Sequence, residues 1–207
     1  LKVEELRERV ARLVDIYYDV QDVRIRTFNR LRQVGEVEGV DPDLLKQLER
    51  QIAKEIGREL RGVSLWEEFL SKVPGIGPVL AGGLWSTFDV RKADHPSSFW
   101  RFAGLHVVNG RAPRRERGKK LDFNPKARTL CWKVGRSFLM AKTPFYSELY
   151  EEYRRAEEEK LKGCPMKEEC LKRLEAKAAR LKRRPKEPPC RLHAHMRALR
   201  KAVKHFL

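Results

Sequence analysis

A mostly α-helical fold is predicted from the spacing of the apolar residues. In residues 1–34 apolar side chains recur at steps of three and four, and the same spacing returns after Asp41-Pro42. Apolar residues at these steps line one face of a helix. Only residues 105–108 resemble a strand. The sequence therefore predicts a helical hairpin or coiled coil, a helix-hairpin-helix core and a small basic helical tail.

The hairpin or coiled coil is assigned to residues 1–62. The first helix ends before Gly35 and Gly39, and the second begins near Asp41-Pro42 with an apolar stripe of its own. Two helices with a short link form an antiparallel hairpin, or part of a coiled coil between two chains. The second arrangement would make a homodimer through residues 1–60.

A glycine-rich turn follows a third short helix, which is predicted over about 65–73. The turn reads Val73-Pro74-Gly75-Ile76-Gly77-Pro78. Glycine permits positive φ and a close approach of backbone to a ligand, and proline suits the first helical position. The free N–H groups of such a helix start attract phosphate. This pattern is typical of a helix-hairpin-helix, and an ordinary glycine-rich connection is the alternative; the candidate contacts are Gly75, Ile76, Gly77 and Val79.

Positive charge favours an anionic polymer as the partner. Lys and Arg number 46 against 29 Asp and Glu, which gives a net charge of +17. Residues 111–120 contain six basic residues, one acidic residue and no apolar period, so we predict an exposed flexible loop. A solvated charge run is the alternative interpretation. The candidate phosphate contacts are Arg111, Arg114, Arg115, Arg117, Lys119 and Lys120 of this loop, and Arg128 beyond it.

Further helices complete a predicted nucleic-acid-binding domain over residues 63–163. Asn124-Pro125 starts a helix that runs to about Lys142, and Thr143-Pro144 precedes another that ends at Gly163. The four tryptophans occupy apolar helical positions, so they are predicted to lie in the core rather than to stack on bases: Trp66, Trp85, Trp100 and Trp132.

The basic tail, residues 164–207, contains a candidate zinc site. Three thiolates and one imidazole match a closed tetrahedral zinc centre, and residues three apart on a helix share a face. The six-residue step between the first two cysteines exceeds the usual spacing, so a Cys164–Cys190 disulfide and free thiols stay open as alternatives. The predicted ligands of a structural zinc are Cys164, Cys170, Cys190 and His193.

No catalytic residue is assigned. Asp15, Asp19 and Asp22 share a helix face that suits Mg²⁺, but the neighbouring arginines favour a solvated, ion-paired surface. The leading prediction is non-catalytic, largely phosphate-directed DNA binding. The alternatives are a catalytic component of a DNA recombinase or nuclease, and a protein that binds structured RNA.

The predicted location is cytoplasmic and nucleoid-associated, with no membrane partner. The sequence shows no signal peptide and no long apolar run. Charged residues make up 36% of the chain while Asn and Gln are rare, which indicates a hyperthermophilic source.

The order of several motifs resembles one known family. The glycine turn is followed by Phe102-Ala103-Gly104-Leu105, the basic loop, and Asn124 with Arg128. This order is similar to the C-terminal part of the bridge-RNA-guided insertion-sequence transposases, which have a RuvC-like nuclease domain, a coiled coil and a serine-bearing C-terminal domain. The position of the family's serine falls on Asn109-Gly110, and asparagine cannot form the serine's covalent link to DNA. The resemblance implies a fragment, or a divergent stand-alone relative without the RuvC-like domain that binds nucleic acid and does not recombine it.

Overall fold

Two compact units make up the chain. They span Leu1–Asp94 and His95–Leu207. The computed structural model describes residues 3–35, 41, 43–108, 110–164, 167–180 and 189–207, without the side chains of residues 177, 189 and 190. The predicted boundaries at 62/63 and 163/164 fall inside these units, and the three-part division stays a prediction.

The first unit contains three main helices. They are α1 (Val3–Val34), α2 (Asp43–Glu59) and α3 (Pro78–Thr87). Arg9 pairs with Glu59 at 3.0 Å, and Arg24 pairs with Glu49 further along, so α1 and α2 run antiparallel. A π-helical turn (Leu65–Phe69), a 3₁₀ turn (Leu70–Lys72) and a second 3₁₀ turn (Val90–Lys92) complete the unit.

Helix α3 packs against both α1 and α2. It approaches them closely at Gly82, where an added Cβ would lie within 3.3 Å of side chains from both helices. Val10, Ile56 and Ala81 have no exposed surface in this core. The absence of a side chain at Gly82 therefore allows the three helices to meet.

The second unit contains α4 (Pro96–Phe102), α5 (Pro125–Ala141), α6 (Tyr146–Lys162), α7 (Lys167–Arg180) and α8 (Pro189–Phe206). Helix α8 packs on α5, α6 and α7. The chain is mostly α-helical, as its apolar spacing predicts. Within the described part of the chain, the predicted strand-like run 105–108 contributes only an isolated bridge between Val108 and Arg111.

No helix in the described ranges has both the length and the apolar character needed to cross a membrane.

A buried carboxylate joins α6 to α8. Glu157 is 5% exposed, and it accepts hydrogen bonds from Lys201 Nζ at 2.5 Å and Arg197 Nη1 at 3.2 Å. Burial alone would raise the pKa of Glu157, but the bonds from Lys201 and Arg197 outweigh burial and lower it. A carboxylate with a lowered folded-state pKa stabilises the fold above its unfolded pKa, and this contribution is lost as pH falls through the folded value.

Acidification is therefore expected to weaken the second unit through Glu157. From about pH 5 down to about pH 3, the free energy of unfolding should fall more steeply for the natural chain than for Glu157→Gln. Urea denaturation at a series of pH values measures this difference. Glu152→Gln, which changes an exposed residue of α6, is the matched control and should retain the natural slope. Equal slopes for Glu157→Gln and the natural chain would contradict this role.

Candidate nucleic-acid interface

The glycine turn leads directly into α3. Gly75 has a φ of 88°, in the left-handed region that glycine adopts readily. Gly77 is the N-cap of α3, Pro78 is its first residue, and Val79 lies half-buried in its first turn. The side chain of Ile76 is 4% exposed, whereas Gly75 and Gly77 are exposed. Ile76 thus anchors the turn while the two glycines present backbone outward.

The start of α3 has no side-chain cap. A Cβ built on Gly77 would meet no heavy atom within 4 Å, so the corner is open. The first N–H groups of a helix have no intrahelical partner and carry partial positive charge. This corner therefore has room for an anion at the helix start.

The segment before the turn differs from the predicted regular helix. It consists of the π-helical turn and the first 3₁₀ turn. In the π-helical turn Leu65 is 40% exposed and Phe69 is 42% exposed, while Leu70 of the 3₁₀ turn is 3% exposed. The helix-hairpin-helix assignment stays a prediction, with an irregular first helix.

The basic loop, residues 111–120, has no regular secondary structure apart from the bridge at Arg111. Its Lys119 Nζ lies 2.6 Å from Glu116 Oε2, so the loop's one acidic side chain is occupied within the loop. All six basic side chains of the loop are exposed, as predicted: Arg111, Arg114, Arg115, Arg117, Lys119 and Lys120. The loop therefore presents a positive excess to solvent.

Arg128 holds this loop against α5. Its Nη1 donates to the carbonyl of Pro113 at 2.7 Å, and its guanidinium lies 4.8 Å from the centre of the Phe123 ring. Burial lowers the pKa of Arg128, and the charge of Arg114 lowers it further. Arg128 was predicted as a phosphate contact, and the structure also gives it a structural part in fixing the loop.

Two of the motifs that carry the family resemblance meet at the start of α5. The backbone N–H of Asn124 donates to the Phe102 carbonyl at 2.7 Å. The side-chain oxygen of Asn124 caps α5 by accepting from the backbone N–H of Ala127. Gly104 has a φ of 65° and packs so closely on Phe123 that an added Cβ would lie 2.7 Å from the ring. The segment 102–105 is thereby fixed beside the helix that carries Arg128.

The core assignment of the tryptophans holds only in part, since Trp66 and Trp100 are half-buried. Trp132 is 44% exposed, and the guanidinium of Arg136 lies 5.4 Å from its ring centre. Trp132 lies off the buried stripe of α5, which contains Ala127, Leu130, Cys131, Val134 and Phe138. By contrast, Trp85 is 8% exposed and lies in the core as predicted.

The predicted zinc ligands are described only in part. Cys164 and Cys170 are free thiols, His193 lies on α8, and the side chain of Cys190 lies outside the described residues. Among the side chains that are described, no three of His, Cys, Asp or Glu are grouped as metal ligands. The zinc site stays a prediction, whereas the alternative Cys164–Cys190 disulfide is not formed, because Cys164 is a free cysteine.

Basic residues on α8 were missed as candidate contacts. The pKa of His193 is lowered by burial and by Arg197 and Arg114, so the imidazole lies beside cations. His193, Arg197, Arg200 and Lys204 follow one another at steps of four, three and four. That spacing was visible in the sequence and indicates a shared helix face.

The described fold and site define an α-helical chain with an open glycine corner in one unit and a positive loop in the other. Comparisons with protein-family models, curated proteins and solved structures gave no match to this chain. The transposase resemblance accordingly stays a hypothesis that rests on the motifs quoted above.

Proposed function

We propose that this protein binds nucleic acid, DNA foremost, through phosphate contacts and without a catalytic step. The observation that carries the proposal is the basic loop, which presents six exposed basic side chains and engages its one acid internally. Exposed Lys and Arg attract phosphates and release condensed counterions, which gives affinity without sequence reading. The open corner at Gly77 supports a further backbone contact to phosphate.

The loop is tested by a salt series. We expect Arg114→Ala, Arg115→Ala and Arg117→Ala together to lower the affinity for duplex DNA. The plot of log K against log salt has a negative slope, and the triple variant should make it shallower by about 3, since each phosphate contact contributes about 0.9 to its magnitude. Fluorescence anisotropy with a labelled duplex at increasing salt measures both quantities.

A charge-matched triple variant provides the control for the loop. Arg30, Arg32 and Arg50 are exposed residues of α1 and α2, and changing all three to Ala removes the same charge. The control should keep nearly the natural slope. An equal loss in both triples would show that only the total charge matters and would refute the loop assignment. Competition with single strands and structured RNA at fixed salt decides between DNA and RNA as the preferred partner.

The glycine corner is tested by Gly77→Asp. Aspartate is a favoured N-cap and Gly77 has open space around it, so α3 should be stabilised by about 0.3 kcal/mol. The added negative charge should nevertheless repel phosphate and reduce DNA affinity. Gly77→Asn, which also caps a helix but is neutral, should cost much less affinity. Equal affinities for the two variants would exclude a phosphate at this corner.

A further inference from the structure

Helix α8 has one buried face and one basic face. Ala194, Ala198, Leu199, Ala202 and Val203 are all 3% exposed or less, and they form the buried side. The basic face consists of His193, Arg197, Arg200 and Lys204. At 100° per residue these four positions lie within about 60° of one another, opposite the buried face.

Tight packing fixes this basic face beside α5. Gly135 of α5 lets Leu199 and Val203 of α8 approach so closely that an added Cβ would lie 2.8 to 2.9 Å from them. Near the end of α8, Trp100 Nε1 donates to the Lys204 carbonyl at 3.1 Å, and Lys204 Nζ lies 4.8 Å from the centre of the same indole. The helix therefore holds a defined position relative to Arg128.

Positively charged side chains from the basic loop, α5 and α8 lie close together around Arg128 and Arg200. The pKa of Arg200 is lowered by burial first and then by the charges of Arg128 and Arg197. The pKa of Arg128 responds in the same way to burial and Arg114, and that of His193 to burial, Arg197 and Arg114. The loop, α5 and α8 thus bring their positive charges into mutual repulsion, and Arg128 is held there by Pro113 and Phe123.

Two carboxylates offset part of this charge, since Glu157 acts to raise the pKa of Arg200 and Asp122 that of Arg128, although both pKa values remain lowered. Glu157 is shared between Arg197 and Lys201, and Asp122 Oδ2 lies 3.4 Å from His106 Nε2. Across the described residues, no hydrogen bond or ion pair within 4 Å is found for the Arg200 side chain. The half-buried Arg200 guanidinium is thus open to an anion, and its paired N–H donors match the oxygens of phosphate.

We infer that Arg128 and Arg200, with Arg114, His193 and Arg197 around them, form a seat for one phosphate group of the bound strand. This inference rests on the proposed function and extends it, because it assigns the basic face of α8 a specific contact. Half-burial fixes the geometry of the seat and lowers the local dielectric. Arg128 and Arg200 therefore hold phosphate more tightly than the exposed loop residues Arg115 and Arg117 do.

Arg200→Gln should weaken DNA binding without weakening the fold. Loss of one like charge relieves repulsion, so the variant should melt at the same temperature as the natural chain or higher when no phosphate is present. The same variant should bind a labelled DNA duplex about tenfold more weakly at 0.1 M salt, since hydrogen bonds to charged groups are strong. Arg200→Lys keeps the charge but not the planar guanidinium, so its DNA affinity should lie between that of the natural chain and that of Arg200→Gln.

Arg191→Gln is the matched control, because it removes the same charge from an exposed position of the same helix. It should change affinity about twofold or less, as an exposed charge contributes little. Equal losses for Arg200→Gln and Arg191→Gln would overturn the seat. Arg115→Ala with Arg117→Ala, which changes no residue of the seat, would then still report on the proposed function, so the two failures are distinguishable.

Inorganic phosphate alone provides the second probe. It should raise the melting temperature of the natural chain above that in chloride of equal ionic strength, and should do so less for Arg200→Gln. Equal shifts in the two proteins would overturn the seat, as would a lower melting temperature of Arg200→Gln without phosphate. A phosphate-specific shift with unchanged duplex affinity would refute the assignment of the seat to the bound strand.

Discussion

Replacement of Gly82 by valine is expected to unfold, or nearly unfold, the Leu1–Asp94 unit. A Cβ at this position would lie 2.8 Å from Ile56 Cγ2 and 3.1 Å from Val10 Cγ1. Both neighbours have no exposed surface, and β-branched side chains have little rotamer freedom with which to move aside. Overpacking of a core costs typically about 1–3 kcal/mol, and valine adds three carbons where three helices meet. We therefore expect the free energy of unfolding of this unit to fall by about 3 kcal/mol or more.

Hydrogen exchange measured peptide by peptide locates this effect. Amides of α1, α2 and α3 should lose protection in Gly82→Val. The control is Gly57→Ala in α2, where the nearest atom to the added Cβ is Pro78 Cγ at 3.4 Å, an ordinary contact. Alanine favours the helix over glycine by up to about 1 kcal/mol, so protection should rise or stay unchanged there. If the amides of α1, α2 and α3 in Gly82→Val kept the exchange protection of the natural chain, the three helices would be less closely packed than described.

The apolar periods of the sequence predicted the helices well because those periods are local. Residues 1–34 predicted a helix and α1 spans Val3–Val34, while Asn124-Pro125 predicted the start of α5. The role of Gly82 was not predictable from its neighbours, because it depends on Val10 and Ile56, which are distant in sequence. Residues 105–108 have the composition of a strand, but a strand needs a partner, and among the described residues only Arg111 pairs with this run.

The candidate site was predictable to the extent that it depends on composition. A run of basic residues without an apolar period predicted an exposed loop, and its side chains are exposed. The anchoring of that loop by Arg128 on Pro113 was hidden, since a backbone carbonyl leaves no mark in the sequence. The basic face of α8 did leave a mark in its spacing. It was missed because His193 was interpreted as a metal ligand rather than as one member of that face.

The second large effect is expected at Gly135, the contact between α5 and α8. A Cβ there would lie 2.8 Å from Leu199 Cδ1 and 2.9 Å from Val203 Cγ2, and those side chains are 3% and 2% exposed. Gly135→Val should therefore lower the free energy of unfolding of the second unit by about 3 kcal/mol, as overpacking of a buried contact does. Urea denaturation, with exchange protection followed in α5 and α8, measures the loss.

The control for this unit is Gly163→Ala. Gly163 ends α6 with a φ of −95°, and an added Cβ would meet nothing within 4 Å, so the change should have little effect. Because Gly135 sets the distance between the helices that carry Arg128 and Arg200, any folded fraction of Gly135→Val should also bind phosphate less tightly. If the variant instead kept natural stability and natural affinity, the close contact of α5 with α8 could not be what brings those two arginines together.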